Sequence, residues 1–111
     1  MVGDWVVRWN EFYAIDPATA SSISGFRNDG GYTVWDCYFS GDLAQVENCR
    51  AGRMIDLGWE PQKDPNGMYV ARLLKEVVGE PGIYDWDHPL EAIETRIPSE
   101  VVEFIRRSMS Q

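Results

Sequence analysis

At 111 residues the chain is long enough to bury about two thirds of the surface its unfolded form exposes. Folding as a single domain over 1–111, with no metal or disulfide, is therefore expected. A composition that is 44% hydrophobic with five tryptophans excludes a disordered chain, and the lack of an apolar run of spanning length excludes a transmembrane helix. Eighteen Asp and Glu against ten Lys and Arg leave a formal charge of −8, which argues against nucleic acid as a partner: the basic residues are scattered, with only Arg106 and Arg107 adjacent.

The amino-terminal ten residues carry Asp4 and Arg8 among their aromatics and lack a basic region followed by an apolar one. That makes the cytoplasm the expected compartment, and Cys37 and Cys49 are expected there as buried free thiols. Asp4 to Asp16 fits two templates. Trp5, Trp9, Phe12 and Tyr13 make a helical stripe behind an Asp4 cap, while Trp5, Val7, Trp9, Tyr13 and Ile15 fit a strand. The reading favours a short helix ending before Pro17. After a small, polar connector, Asn28-Asp29-Gly30-Gly31 offers turn residues ahead of Tyr32 to Ser40, which is rich in β-branched and aromatic residues. This predicts a hairpin whose second strand turns Thr33, Trp35, Cys37 and Phe39 to the core. Gly41 to Gly52 reads as a short helix or an extended connector.

The strongest local signal lies in Arg53 to Lys75. Ile55, Leu57 and Trp59 alternate with Met54, Asp56 and Gly58, while Tyr69, Ala71 and Leu73 alternate with Arg72. Between the two runs, Asp64-Pro65-Asn66-Gly67 combines a proline that presets φ with two residues that tolerate a left-handed backbone. Pairing positions whose numbers sum to 128 sets Ile55 against Leu73, Leu57 against Ala71 and Trp59 against Tyr69, with Asp56 meeting Arg72 on the reverse face. Glu76 to Glu94 follows as a loop ending in a brief strand, broken by Gly79, Pro81, Gly82 and Pro89. Ile97 to Met109 is the clearest helix. Pro98 or Ser99 opens it, Glu100 and Glu103 lie near its positive end, and Arg106 and Arg107 lie near its negative end. Val101, Val102, Phe104, Ile105 and Met109 form the stripe it lays on the sheet. The predicted fold class is α+β: an antiparallel sheet built from hairpins, with the C-terminal helix on one face.

No catalytic set emerges from the residues. His88, the one histidine, lies in Asp85-Trp86-Asp87-His88-Pro89-Leu90-Glu91. A metal-dependent enzyme built on Asp85, Asp87, His88 and Glu91 is the alternative this cluster raises, though it lacks the spacing of a specific metal site and is more simply an acidic loop with Trp86 packed inward. Cys37 with His88 as its base would need a low-pKa setting, which a core strand does not offer. The glycines never take phosphate-loop spacing, so no nucleotide cofactor is expected. Trp5, Trp9, Trp35 and Trp59 fall on apolar faces and read as core.

What the chain does offer is charge with aromatics. Glu76, Glu80, Asp85, Asp87, Glu91 and Glu94 lie in one segment without Lys or Arg, which therefore holds six of the eight net negative charges. Tyr84 and Trp86 sit within it. Carboxylates that steer a cationic protein, around an aromatic anchor that is desolvated on contact, suit a protein-binding surface. The expected partner-binding residues are thus Glu76, Glu80, Tyr84, Asp85, Trp86, Asp87 and Glu91, with the open sheet face near Asp36 as the other placement. The run Ile55-Asp56-Leu57-Gly58-Trp59-Glu60-Pro61, then Asp64-Pro65-Asn66-Gly67-Met68-Tyr69-Val70, an acidic Trp-bearing loop, Thr95-Arg96 and a terminal helix resembles small bacterial immunity proteins of contact-dependent inhibition and related polymorphic toxins. Glu60 stands where the resemblance leads one to expect an aromatic. The resemblance implies a non-enzymatic cytoplasmic protein without cofactors that binds one cognate toxin domain, such as a basic nuclease. An acidic inhibitor that mimics nucleic acid is a third reading, distinguished by competing with DNA for many basic proteins.

Overall fold

The computed structural model describes residues 4–20 and 34–110. Strands β1 (Val6–Asn10), β2 (Ala44–Asn48), β3 (Arg53–Glu60), β4 (Met68–Lys75) and β5 (Glu91–Thr95) form one five-stranded sheet in the order β1-β2-β3-β4-β5, with helices α1 (Val34–Tyr38) and α2 (Pro98–Met109). Every neighbouring pair is antiparallel. The architecture is α+β, as the hydrophobic pattern indicates.

The β3–β4 pair takes the expected register throughout, with Ile55 opposite Leu73, Leu57 opposite Ala71, Trp59 opposite Tyr69 and Asp56 opposite Arg72. Its turn closes differently from expectation. The Asp64 carbonyl accepts the Gly67 N–H at 2.9 Å and the Asp64 carboxylate accepts the Asn66 N–H at 2.8 Å, but the positive φ falls on Lys63, at 64°, rather than on Asn66 or Gly67. Glycine is needed at 67 for space: a Cβ there would stand 2.5 Å from the Trp59 indole nitrogen, which donates to the Asp64 carbonyl at 2.7 Å.

The stretch Gly41 to Gly52 resolves in favour of extended chain. Ala44 and Val46 alternate with Gln45 and Glu47 in β2, and a tight turn containing Gly52 at φ 66° returns the chain into β3. Two predicted elements are overturned. Residues 6–10 form an edge strand instead of a helix, because pairing with β2 is available, and the register shifts between Val7 and Trp9, which spoils the alternation that would have marked a strand. Val34 to Tyr38 is a short helix instead of a strand: Val34 and Phe39 are buried and Trp35 lies 4.5 Å from Phe39, ring to ring, which is contact at helical spacing. The turn expected at Asn28 to Gly31 lies outside the described residues. Helical geometry also turns Cys37 outward, and Cys37 and Cys49 are both exposed free thiols rather than buried ones.

One sheet face carries the main core. Val46, Ile55, Leu57, Trp59, Tyr69, Ala71 and Leu73 pack against Val101 and Phe104 of α2 and against Phe39 and Leu43. Each large side chain buried there contributes about 1.5–3 kcal/mol. α2 carries Pro98 in its first turn and Arg106 and Arg107 in its last, as read; Val102, however, faces solvent and Ser108 takes a buried position on the stripe. Trp9 is likewise not core, being 39% exposed on the edge strand. The opposite face has a smaller cluster of Met54, Leu74 and Tyr84. That face also bears Glu47 and Asp56. None of the helices among the described residues is long and apolar enough to cross a membrane.

Candidate functional site

Beyond β4 the chain turns back over the face that α2 leaves uncovered. A bridge between Glu76 and Tyr84 sets the return, and the Tyr84 ring drops between Met54 and Leu74. Its hydroxyl donates to Glu47 Oε2 at 2.6 Å, and Arg8 donates to Glu47 Oε1 at 2.9 Å, so both oxygens of this buried carboxylate are held. The Tyr84 hydrogen bond, together with Arg8, draws the Glu47 carboxyl below its ordinary pKa despite desolvation. Burial and the same carboxylate push the phenol of Tyr84 well above its ordinary range.

The seven residues read as a partner-binding set therefore separate. Tyr84, 7% exposed, is a structural tie and not a surface anchor, because its hydroxyl found a carboxylate on β2. Glu76 accepts the Gly82 N–H at 2.8 Å and fastens the loop's own turn. Asp85 Oδ1 accepts the backbone N–H groups of Asp87 at 3.2 Å and His88 at 3.1 Å, and Glu91 lies 3.4 Å from Arg107. Glu80 and Asp87 are exposed and make no side-chain ion pair among the described residues. Trp86 is 48% exposed rather than packed inward. His88 Nδ1 lies 3.4 Å from Asp85 Oδ1, but no group of three or more His, Cys, Asp or Glu side chains among the described residues is arranged to hold a metal. Asp36 belongs to α1 rather than to the sheet.

Beside Trp86 the same face contains a depression of about 380 Å³ lined by Asp42, Asp56, Glu60, Pro61 and Arg72. Its wall depends on Gly58. A Cβ at that position would lie 2.0 Å from the Gly41 carbonyl oxygen, so only glycine lets the Gly41-Asp42 segment lie down on β3. Backbone bonds from Trp59 to Ser40 at 3.0 Å and from Leu43 to Leu57 at 2.8 Å hold the segment there.

Asp56 forms the floor and is 5% exposed. Gln45 donates to its Oδ1 at 3.1 Å, whereas Oδ2 accepts no hydrogen bond from the described residues. Arg72, its cross-strand partner, instead donates to Glu60 at 2.9 Å. Desolvation, with Asp42 and Glu60 nearby, raises the Asp56 carboxyl above its ordinary pKa, opposed by the Gln45 bond and the Arg72 charge. Sequence reasoning found the loop and missed Asp42, Asp56 and Glu60 as a group. The available signal was a carboxylate inside an apolar strand followed two residues later, on the same face, by glycine. No protein-family model, curated protein or solved structure matches this chain.

Proposed function

We propose that this chain is an immunity protein, which neutralises a cognate basic toxin domain by binding it in the cytoplasm rather than by catalysis. The observation that carries the reading is the half-exposed Trp86, next to Asp87 in the chain and beside Asp42 and Glu60, on a sheet face that no helix among the described residues covers. A long-range negative field speeds encounter with a cationic domain, and an aromatic side chain at its centre supplies apolar area that is desolvated on contact. The likeness of the central hairpin to immunity proteins is the second support.

The test is co-purification with the product of the adjacent gene, followed by calorimetry at about 50 mM and 500 mM salt, where screening differs several-fold in range. A complex that tightens at low salt is expected, and Glu80→Gln with Asp87→Asn should slow association while leaving the thermal midpoint nearly unchanged. No association at low salt overturns the reading. Displacement of the protein from many unrelated basic proteins by DNA would instead favour a nucleic-acid mimic.

A further inference from the structure

We infer that the depression on the open face is a receptor for one arginine side chain of a basic protein partner, its guanidinium meeting the unbonded Asp56 oxygen and the Asp42 and Glu60 carboxylates while its plane lies against the Trp86 indole. The inference rests on the proposed inhibitor role only for the source of that arginine.

Three observations lead there. Asp56 is 5% exposed and lines the hollow; Gln45 bonds one of its oxygens, and the other, bonded by no described residue, is not sealed from solvent. A carboxylate oxygen so placed is open to a cation that enters the hollow. The cation placed to pair with it, Arg72, is held by Glu60, so three carboxylates face one guanidinium and an excess of two negative charges remains. Finally, the rim offers an exposed indole, whose π-face attracts a cation, and Pro61, which is also exposed.

Arginine suits this chemistry better than lysine. Its flat, weakly hydrated fork can bond to two carboxylates and stack on an aromatic ring at once, whereas an ammonium is a compact and strongly hydrated charge. A hollow of about 380 Å³ has room for the planar group and part of its stem. Glycine at 58 serves the same end, since it allows the wall bearing Asp42 to approach.

The test needs no toxin. The full chain, labelled with ¹⁵N, is titrated with N-acetyl-arginine methylamide, and the Trp86 indole N–H and the Gln45 side-chain amide are followed by NMR. The blocked citrulline analogue, uncharged and of the same shape, is the control. Saturable shifts of both reporters with arginine, weaker ones with blocked lysine, none with citrulline, and loss of the Gln45 response in Asp56→Asn and in the exposed variant Trp86→Ala are expected. Equal shifts with citrulline, or shifts with arginine that survive both substitutions, overturn the proposal. Such a failure leaves co-purification with a toxin unaffected, so the receptor and the inhibitor role fail separately.

Discussion

Glu47 and Asp56 stand on adjacent strands of one sheet face, each nearly buried, and their surroundings treat them oppositely. Glu47 has both oxygens bonded, by Tyr84 and Arg8, and its carboxyl is drawn below the usual pKa. Asp56 has one oxygen bonded by a neutral amide, loses its nearest cation to Glu60, and is pushed above the usual pKa. The first fastens the loop to the sheet. The second keeps one oxygen free of protein partners at the lining of a hollow, where a cationic ligand can reach it.

The largest expected effect separates the two sides by steric means. Gly58→Ala forces the Gly41 carbonyl off β3 and should cost about 3 kcal/mol in urea denaturation, in line with overpacked sites. The Asp56 side opens while the Tyr84–Glu47 bond stays. A loss well under 1 kcal/mol would mean that the wall is not seated on β3.

Removing the paired carboxylate comes next. Glu47→Ala leaves the buried Tyr84 hydroxyl without its acceptor and should cost about 2 kcal/mol at neutral pH. The pH dependence follows from the depressed folded pKa. The contribution of Glu47 is fully present above the unfolded carboxylate range and is lost as pH falls through the folded value, so the penalty of the substitution shrinks below about pH 4.

Asp56→Asn should act in the opposite direction and more weakly, raising stability by about 1 kcal/mol at pH 7, because it removes a charge that desolvation and the nearby Asp42 and Glu60 disfavour. Because the folded pKa is raised, the native state binds its proton more tightly than the unfolded chain. Ionisation of Asp56, against Asp42 and Glu60 and with only Arg72 in compensation, therefore lowers stability as pH rises between the unfolded and folded values. The gain from Asn should vanish once both states are protonated. A substitution that destabilises at pH 7 would show that Asp56 is a structural carboxylate like Glu47.

The sequence made the frame legible wherever one periodicity ran unbroken. β3 and β4 alternate cleanly and share a single sensible register, and α2 combines proline at its start, arginine at its end and buried residues at Val101, Phe104 and Ser108. β1 was hidden by its register shift near Arg8, and α1 by β-branched and aromatic residues that suit a strand but pack here at helical spacing. The acidic loop could be read by counting charges. The role of Tyr84 could not, since its acceptor lies 37 positions away on β2. Nor could the hollow beside Asp56, which exists only because a segment preceding β2 folds onto a glycine in β3.

The contrast between the two carboxylates is tested most directly by following the side-chain ¹³C carboxyl signals of Glu47 and Asp56 through an acid titration of the folded protein. Asp56 should titrate above the ordinary Asp value of 3.8 and Glu47 below the ordinary Glu value of 4.5, so that the two shifts have opposite sign. Asp56 titrating below 3.8, or Glu47 above 4.5, would contradict the account.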